Sequence, residues 1–453
     1  MAAGEGKKIG RETLEVRLEY PGKKPHEEVL NTQPGRYEVA QTLGEGSNRL
    51  YFGENLNVLA ALAADATVFR KVKCVYIDPP FASQAAFQSR KLQHAYSDNV
   101  TGPEFIEFLR ERLILIHHLL ADDGSLFLHL DERMTSHFRI VLDEIFGPQN
   151  YRNQITRKKC NPKNSTRHTF GNISDYILFY TKSDGYQWNR PMEPWTPERA
   201  AKEYQYREED SGREFKKVPV HAPGVRNGET GKEWRGKLPP PGKHWQFPPR
   251  VLDEMDARGE IYWSANGNPR RKLYLEKSAG IPLQDIWLDV RDAHNQNVLI
   301  TGYPTEKNAE ILRRLINAST NPGDLVMDCF AGSGTTLAVA SELGRRWIGV
   351  DNSPEAIRTI SNRLEHGLER MGDFVTGAAQ AHNYVLPGLE AAESGVKDQT
   401  QKLMPHYVLL EETPSSGDGK DALEKSLRKG APITEDVMIT KDVRQASVSV
   451  GGR

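Results

Sequence analysis

A glycine-containing loop between a predicted strand and a predicted helix is a candidate ligand-binding motif in this sequence. It reads Asp-Cys-Phe-Ala-Gly-Ser-Gly-Thr-Thr and starts at Asp328, with Gly332 and Gly334 inside it. Glycines at such a turn let the backbone pass close beneath a bound nucleoside. The loop has neither the lysine of a phosphate-binding P-loop nor the dinucleotide fingerprint, so phosphate is a poor candidate ligand.

Two aspartates lie at the ends of neighbouring predicted strands here. Asp328 ends the strand before the loop and Asp351 ends the next strand. One carboxylate can accept hydrogen bonds from both hydroxyls of a ribose, and another can pair with an ammonium group. S-adenosylmethionine offers both groups. The pattern therefore predicts S-adenosylmethionine as the ligand, and a tight turn without a ligand is the alternative.

A second predicted strand ends in the stiff loop Asp78-Pro79-Pro80-Phe81. Two successive prolines fix two φ angles and remove two backbone donors, so the loop presents acceptors only. The exocyclic amino group of a base delocalises its lone pair into the ring, and acceptors at its two N–H groups localise that pair for attack on a methyl sulfonium. The Asp78 carboxylate and the Pro79 carbonyl can be these acceptors, while Phe81 offers a ring for a flipped base. A proline-stiffened turn without a catalytic role is the alternative.

The elements that must position these loops alternate between strands and helices. We predict strands at Val72–Ile77, Ser125–Leu130, Leu325–Asp328, Trp347–Asp351 and Tyr407–Leu410, with a break at Asp122–Gly124 before the second of them. We predict helices at Asn55–Leu62, Phe105–Leu120, Met134–Phe146, Asn308–Ala318, Thr335–Leu343 and Pro354–Leu368. This alternation is typical of the α/β class, in which helices cover both faces of a mostly parallel sheet.

The α/β pattern is interrupted once along the chain. It occupies residues 48–150, which contain the Asp-Pro-Pro-Phe loop, and residues 293–383, which contain the glycine loop. Residues 151–292 are instead rich in Arg, Lys, Trp, Tyr, Pro and Gly, with short predicted elements. We interpret this stretch as an insertion into one α/β domain. Residues 1–47 are predicted to form a polar N-terminal arm, and residues 384–453 a weakly structured tail.

Basic residues concentrate in the insertion. The run from Arg152 to Arg167 contains no acidic residue, and aromatic and basic residues are interleaved further on. Such a patch can neutralise phosphates locally, although the whole chain carries 60 basic and 61 acidic residues. We predict a target-recognition region that contacts DNA, with a solvated basic surface as the alternative. The predicted contacts are Arg157, Lys158, Lys159, Arg235 and Arg271.

Composition and residue spacing argue against several other classes of function. The three cysteines lie far apart and lack the paired spacings of zinc sites or disulfide frameworks, so we expect no metal site. His117, His118 and His129 are predicted to pack in a helix and a buried strand. The sequence has no run of about 18 apolar residues and begins without an apolar segment, so we expect a cytoplasmic protein.

Taken together, these motifs resemble those of the β-class DNA amino-methyltransferases, in which the catalytic loop precedes the cofactor loop. The likeness covers residues 48–182 and 280–368, and one stretch is especially similar to methylation subunits of type III restriction-modification systems. The segments that carry it are Phe52–Asn55, Asp78–Phe81, Leu126–Gly147, Tyr303–Asn308 and Phe330–Gly334.

The resemblance implies a Rossmann-like methyltransferase fold with permuted motif order, and methylation of N6 of adenine with S-adenosylmethionine as cofactor. It implies Asp78, Pro79, Pro80 and Phe81 as catalytic residues. It implies Asp328, Phe330, Gly332, Gly334, Asp351, Thr305 and Lys307 as cofactor-binding residues. Phe81 stands where adenine methylases more often have tyrosine, while Glu306 and Asn308 stand where glutamine and proline are frequent.

The resemblance also bears on partners and on rival functions. Double-stranded DNA is the implied substrate, and a homodimer and a restriction or phage-defence subunit are further candidate partners. Methylation of N4 of cytosine is the nearest rival, because the same acceptor pair serves either amine. Methylation of RNA or of a small amine is a second, and the large insertion disfavours the small amine. A DNA-binding protein with a decayed methylase fold is a third, which the intact Asp78 and Asp351 disfavour.

Overall fold

The computed structural model describes residues 16–80, 102–161, 168–292, 299–301, 303, 306–367, 369–370 and 406–413 of the 453. Two of the predicted site residues, Phe81 and Thr305, lie outside the described residues. The chain divides into two compact units, and the second, Arg190–Gln284, is inserted into the sequence of the first. Within the described part, no helix is long and apolar enough to cross a membrane.

The first unit contains one large sheet. Its helices are α1 (His26–Leu30), α2 (Asn55–Ala64), α3 (Pro103–Leu119), α4 (Thr135–Phe146), α7 (Ala309–Ser319), α8 (Thr335–Glu342) and α9 (Pro354–His366). Its strands are β1 (Tyr37–Leu43), β2 (Asn48–Phe52), β3 (Val72–Ile77), β4 (Leu120–Leu130), β5 (Tyr151–Lys158), β6 (Ser174–Thr181), β15 (Ile286–Trp287), β16 (Leu299–Ile300), β17 (Leu325–Asp328), β18 (Arg346–Asp351), β19 (Glu369–Arg370) and β20 (Tyr407–Glu412).

The order of strands across the sheet is β1-β20-β2-β18-β17-β3-β4-β6-β5-β15. The six strands from β20 to β4 run parallel, and antiparallel pairs follow at β4 with β6 and at β6 with β5. The strands β3 and β17 are buried almost throughout, which is why both read as continuous apolar runs rather than alternating ones. The predicted α/β class with a mostly parallel sheet agrees with this arrangement.

Helices pack on both faces of the sheet. Val75 and Ile77 of β3 join a buried cluster with side chains of α2, α3 and α4. Side chains alternate across a strand, so Cys74 and Tyr76 point to the opposite face, where α7 contacts β3 and β4. The N-terminus of α7 is capped by Asn308, whose side chain accepts a hydrogen bond from the backbone of Glu310.

The predicted break of the preceding helix before Ser125 agrees with the end of α3 at Leu119. The strand that follows begins at Leu120 rather than at the predicted Ser125 and runs through Asp122–Gly124. Two contacts with β3 explain why polar residues and a glycine fit inside this strand. Asp123 pairs with Lys73 on the neighbouring strand. A Cβ at Gly124 would approach the carbonyl oxygen of Val72 to 2.8 Å, so the absence of a side chain permits the close strand pairing.

The insertion is narrower than the predicted range 151–292. Strands β5, β6 and β15 belong to the large sheet, and only Arg190–Gln284 forms a separate unit. The basic residues of β5 made this strand resemble the insertion in composition. The buried apolar run Ile177–Tyr180 of β6 is, by contrast, typical of a strand inside a sheet. Both chain ends also contribute strands, because β1 from the predicted arm and β20 from the predicted tail pair with each other.

The second unit has its own small core. Its helices are α5 (Pro197–Glu203) and α6 (Pro249–Ala257), and its strands are β7 (Met192–Glu193), β8 (Tyr206–Arg207), β9 (Glu214–Pro219), β10 (His221–Pro223), β11 (Lys243–Trp245), β12 (Ile261–Trp263), β13 (Pro269–Tyr274) and β14 (Ile281–Pro282). Four of these strands form a sheet in the order β12-β13-β9-β8. Two buried tryptophans, Trp234 and Trp245, pack with Leu252 and Ile261. These aromatic side chains serve the core of the unit.

Candidate active site

A cavity of about 200 Å³ lies at the carboxyl ends of β3, β17 and β18. Parallel strands present their carboxyl ends at one edge of a sheet, where ligands bind in open α/β folds. The cavity brings together both loops singled out in the sequence. The predicted site residues that line it are Asp78, Pro80, Lys307, Asp328, Phe330, Gly332 and Asp351.

Asp328 fixes the shape of the glycine loop from inside. One carboxylate oxygen accepts the backbone N–H of Phe330 at 2.9 Å, and the other accepts the hydroxyl of Thr336 at 2.5 Å. Gly334 is the N-cap residue of α8 and has a φ of +72°, and a Cβ there would approach Ile360 to 2.9 Å. Glycine is therefore required at this position by both backbone conformation and packing.

Asp351 joins the second strand end to the same loop. Its Oδ2 accepts the backbone N–H of Gly332 at 2.8 Å, and its Oδ1 accepts that of Ser353 at 2.9 Å. Burial raises the pKa of Asp351 to about 6, and burial also raises the pKa of Asp328 to about 7, with further contributions from nearby carboxylates. Two buried carboxylates of this kind favour a ligand that brings hydrogen-bond donors or positive charge.

Two arginines that the sequence analysis did not single out support the glycine loop. The side chain of Asn55 donates to the carbonyl of Cys329 at 2.9 Å, and Arg112 of α3 holds Asn55 through its amide oxygen at 2.5 Å. On the other side, buried Arg363 donates to Thr335 Oγ1 at 2.9 Å and pairs with Glu306. An arginine on an otherwise apolar helical face is the sequence signal that could have identified them.

The Asp78 carboxylate reaches the cavity from the end of β3. Its Oδ2 lies 2.9 Å from Lys307 Nζ, and the two side chains are only 16% and 12% exposed. Its Oδ1 is buried and, among the described residues, has no hydrogen-bond partner. On that side, His129 Nδ1 lies 4.0 Å from Oδ1. The geometry leaves one carboxylate oxygen as a buried acceptor.

A buried polar chain runs behind Asp78 through the sheet. The hydroxyl of Tyr76 lies 2.8 Å from His129 Nδ1, and His129 Nε2 lies 3.0 Å from Asp175 Oδ2. Burial opposes ionisation of Asp175, but His129 and Arg157 together hold its pKa well below the ordinary value. His129 is buried as expected, although it belongs to a polar chain rather than to apolar packing.

The structure corrects the assignment of Arg157 to DNA. Its side chain is fully buried and pairs with Asp175 through two hydrogen bonds of 2.9 and 2.5 Å. It also bonds to Asp292 at 2.7 Å. Burial opposes its charge, yet these carboxylates raise the pKa of Arg157 above its ordinary value. A guanidinium enclosed in this way cannot contact phosphate.

The other predicted DNA contacts differ in whether a nearby carboxylate pairs with their positive charge. Arg235 is bound by two aspartates, Asp253 at 3.0 Å and Asp256. Lys158 and Lys159 have no carboxylate within ion-pair distance in the part of the chain that the structure describes. The guanidinium of Arg271 lies over the ring of Phe247, 5.5 Å from its centroid.

The large parallel sheet and the glycine loop with two strand-end carboxylates define the class: a Rossmann-like, S-adenosylmethionine-dependent methyltransferase. A comparison with known families identifies the particular family within this class. The family model described as DNA methylase, of the N6/N4 type, matches residues 72–362. The chain belongs to this family of DNA amino-methyltransferases, whose cofactor is S-adenosylmethionine.

The chain is also similar to individual known proteins. The type II methyltransferase M.EcaI of Enterobacter cloacae is 46% identical over 366 residues, which are 80% of either chain. The Mod subunit of the type III restriction-modification enzyme StyLTI of Salmonella typhimurium is 26% identical over 65% of this chain and 50% of its own length. Among solved structures, the M1.HpyAVI complex with S-adenosylmethionine is 15% identical with a TM-score of 0.38, over 70% of this chain and 99% of that one.

Proposed function

We propose that this protein transfers a methyl group from S-adenosylmethionine to N6 of an adenine flipped out of double-stranded DNA. The observation that carries the proposal is Asp78, a residue of the cavity wall whose buried Oδ1 has no hydrogen-bond partner among the described residues. An amino group of a base can donate an N–H to this oxygen, with the Pro79 carbonyl as the second acceptor. The N–H becomes more acidic as the methyl is transferred, so this hydrogen bond is stronger in the transition state than in the ground state.

The cofactor assignments follow from the donors and acceptors around the glycine loop. Asp351 offers a carboxylate to the ribose hydroxyls. Gly332 has a φ of +50°, a conformation that favours glycine, and a Cβ there would lie 3.5 Å from the ring of Tyr303. The cofactor brings an electrophilic methyl on a sulfonium and a positive charge, which suits a cavity that contains three carboxylates. Asp328, whose two oxygens accept hydrogen bonds within the loop, shapes the loop and adds negative charge. Phe330 lines the same cavity as an apolar wall.

The choice of adenine rests on the likeness to methylation subunits of type III systems, and the cavity itself would serve N4 of cytosine equally. Phe81, which replaces the tyrosine more frequent in adenine methylases, is the feature that favours cytosine. Mass spectrometry of nucleosides from DNA methylated by the purified protein tests the choice. N6-methyladenine alone supports the proposal, and N4-methylcytosine refutes it.

We propose Lys158, Lys159 and Arg271 as contacts to DNA phosphates, because none of them is bound by a carboxylate among the described residues. The names of the two relatives above support a restriction-modification setting, and a homodimer and a restriction or defence partner stay predictions.

A single substitution tests the catalytic assignment. Asp78→Ala should reduce methyl transfer by about a hundredfold or more, the scale of losing one positioned electrostatic partner, with nearly unchanged cofactor affinity. Single-turnover assays with DNA and cofactor saturating measure the chemical step. Transfer at the wild-type rate would remove Asp78 from the reaction.

A further inference from the structure

We propose that Lys307 is a positioning residue for Asp78 rather than the cofactor ligand that the resemblance implies. Its ammonium group holds Asp78 Oδ2, and this leaves Oδ1, which has no partner among the described residues, as the acceptor for the target amine. The inference rests on the proposed role of Asp78. It differs from that role because Lys307 acts through the carboxylate and touches neither the base nor the methyl group.

The ion pair is geometrically suited to fixing a rotamer. Lys307 Nζ lies 2.9 Å from Asp78 Oδ2 in a place where both side chains are nearly enclosed. The backbone on either side is held: Pro79 and Pro80 stiffen the chain after Asp78, and Asn308 caps α7 directly after Lys307. A charge-assisted bond between two anchored groups restricts the carboxylate more than a surface pair would.

The surroundings of Asp78 show what the ion pair prevents. On the Oδ1 side, the Tyr76 hydroxyl and His129 Nδ1 form a hydrogen bond of 2.8 Å with each other, and His129 Nδ1 lies 4.0 Å from Asp78. If the carboxylate rotated further toward this pair, Oδ1 would come within hydrogen-bond distance of a protein group and would no longer be available to the target amine. By holding Oδ2, Lys307 opposes that rotation.

Charge balance in the cavity supports the same role. The Asp78 charge contributes to the raised pKa of Asp328, so the carboxylates of this cavity repel one another. The ammonium group of Lys307, 2.9 Å from Asp78 Oδ2, offsets part of this negative charge. The positive charge of Lys307 therefore balances the carboxylates at the place where the base is proposed to bind.

The two roles for Lys307 predict different losses. A cofactor ligand would lose affinity for S-adenosylmethionine when it is replaced by methionine, which keeps the length of the side chain without its charge. A positioning residue would instead lose rate in the chemical step, because the ground-state cofactor complex does not use it.

The experiment compares Lys307→Met, Asp78→Asn and the double variant by calorimetric titration with S-adenosylmethionine and by single-turnover methyl transfer to duplex DNA. We expect unchanged cofactor affinity for Lys307→Met and a rate about tenfold or more below wild type, as for a lost preorganising contact. The double variant should be no slower than Asp78→Asn, and Lys307→Arg should recover part of the rate. Lys73→Met, which removes the ion pair with Asp123 near the start of the same strand, is the matched control and should transfer at the wild-type rate.

Three outcomes overturn the inference. They are a loss of cofactor affinity as the main effect of Lys307→Met, a wild-type rate for Lys307→Met, and rate losses that multiply in the double variant. The affinity measurement also shows that the variant folds with an intact site. If Asp78→Asn itself transfers methyl at the wild-type rate, the proposed function of Asp78 fails, which is a result distinct from these three.

Discussion

Replacing Arg157 by alanine separates a structural role from a role in DNA binding. The Asp175 carboxylate is 2% exposed and pairs with Arg157 and His129. After the change, His129 is the one ion-pair partner that remains to it among the described residues. Removing one partner of a buried ion pair typically costs about 3–5 kcal/mol, because the other charge stays buried without compensation. The second partner, Asp292, is 35% exposed and can be hydrated, so its loss adds little. We therefore expect the free energy of unfolding to fall by about 3–5 kcal/mol.

Urea unfolding, extrapolated linearly to water, measures this loss. Arg358→Ala is the matched control, because it removes an arginine from the same unit whose ion pair with Glu355 is exposed. An exposed pair of this kind contributes about 0.5 kcal/mol or less. If Arg157→Ala unfolds like this control and instead binds DNA more weakly, the guanidinium reaches phosphate and the argument from burial is wrong.

Two further predictions concern the cofactor and DNA. Because burial raises the pKa of Asp351 to about 6 and that of Asp328 to about 7, both acids take up protons in the free protein as the pH falls. Affinity for S-adenosylmethionine should therefore be lost as the pH falls through this range. The unliganded protein loses stability as the pH rises from the ordinary pKa of 3.8 to these raised values. Calorimetry over the range checks the first effect, and an affinity independent of pH contradicts it. Changing Lys158 and Lys159 to alanine should lower DNA affinity alike for all sequences and reduce the salt slope by about 0.9 for each lost phosphate contact. An unchanged slope in anisotropy titrations at several salt concentrations would show that these lysines do not contact phosphate.

The elements that carry the loops could be predicted because their signals are local. The predicted strands Val72–Ile77 and Leu325–Asp328 agree with β3 and β17 residue for residue, since a strand buried on both faces is apolar throughout. Each loop begins where the apolar run stops, so the acids at the strand ends could be located as well. Predicted helices differ from the observed ones by one or two residues at most ends, as at α8, predicted to end at Leu343 and observed to end at Glu342.

What could not be predicted depends on pairing across long distances in the sequence. Arg157 looked like a phosphate contact because its neighbours are basic, and only the fold brings Asp175 and Asp292 to it. The partner of Lys307 is likewise found on a distant strand end. The boundaries of the insertion failed for the same reason, since β5 pairs with β6 inside the large sheet although its composition is basic.

The order of strands explains why the catalytic loop can precede the cofactor loop in the chain. From β3 the sheet continues to β4 on one side, and from β17 it continues to β18 on the other, so the strand order reverses between β3 and β17. Chain segments that leave such a pair of adjacent parallel strands pass to opposite faces of the sheet and open a crevice between them. The loops after β3 and β17 border that crevice whichever strand comes first in the sequence. A permuted order of motifs therefore leaves the cavity unchanged, and the intervening chain is available for strands β5 and β6 and for the inserted unit.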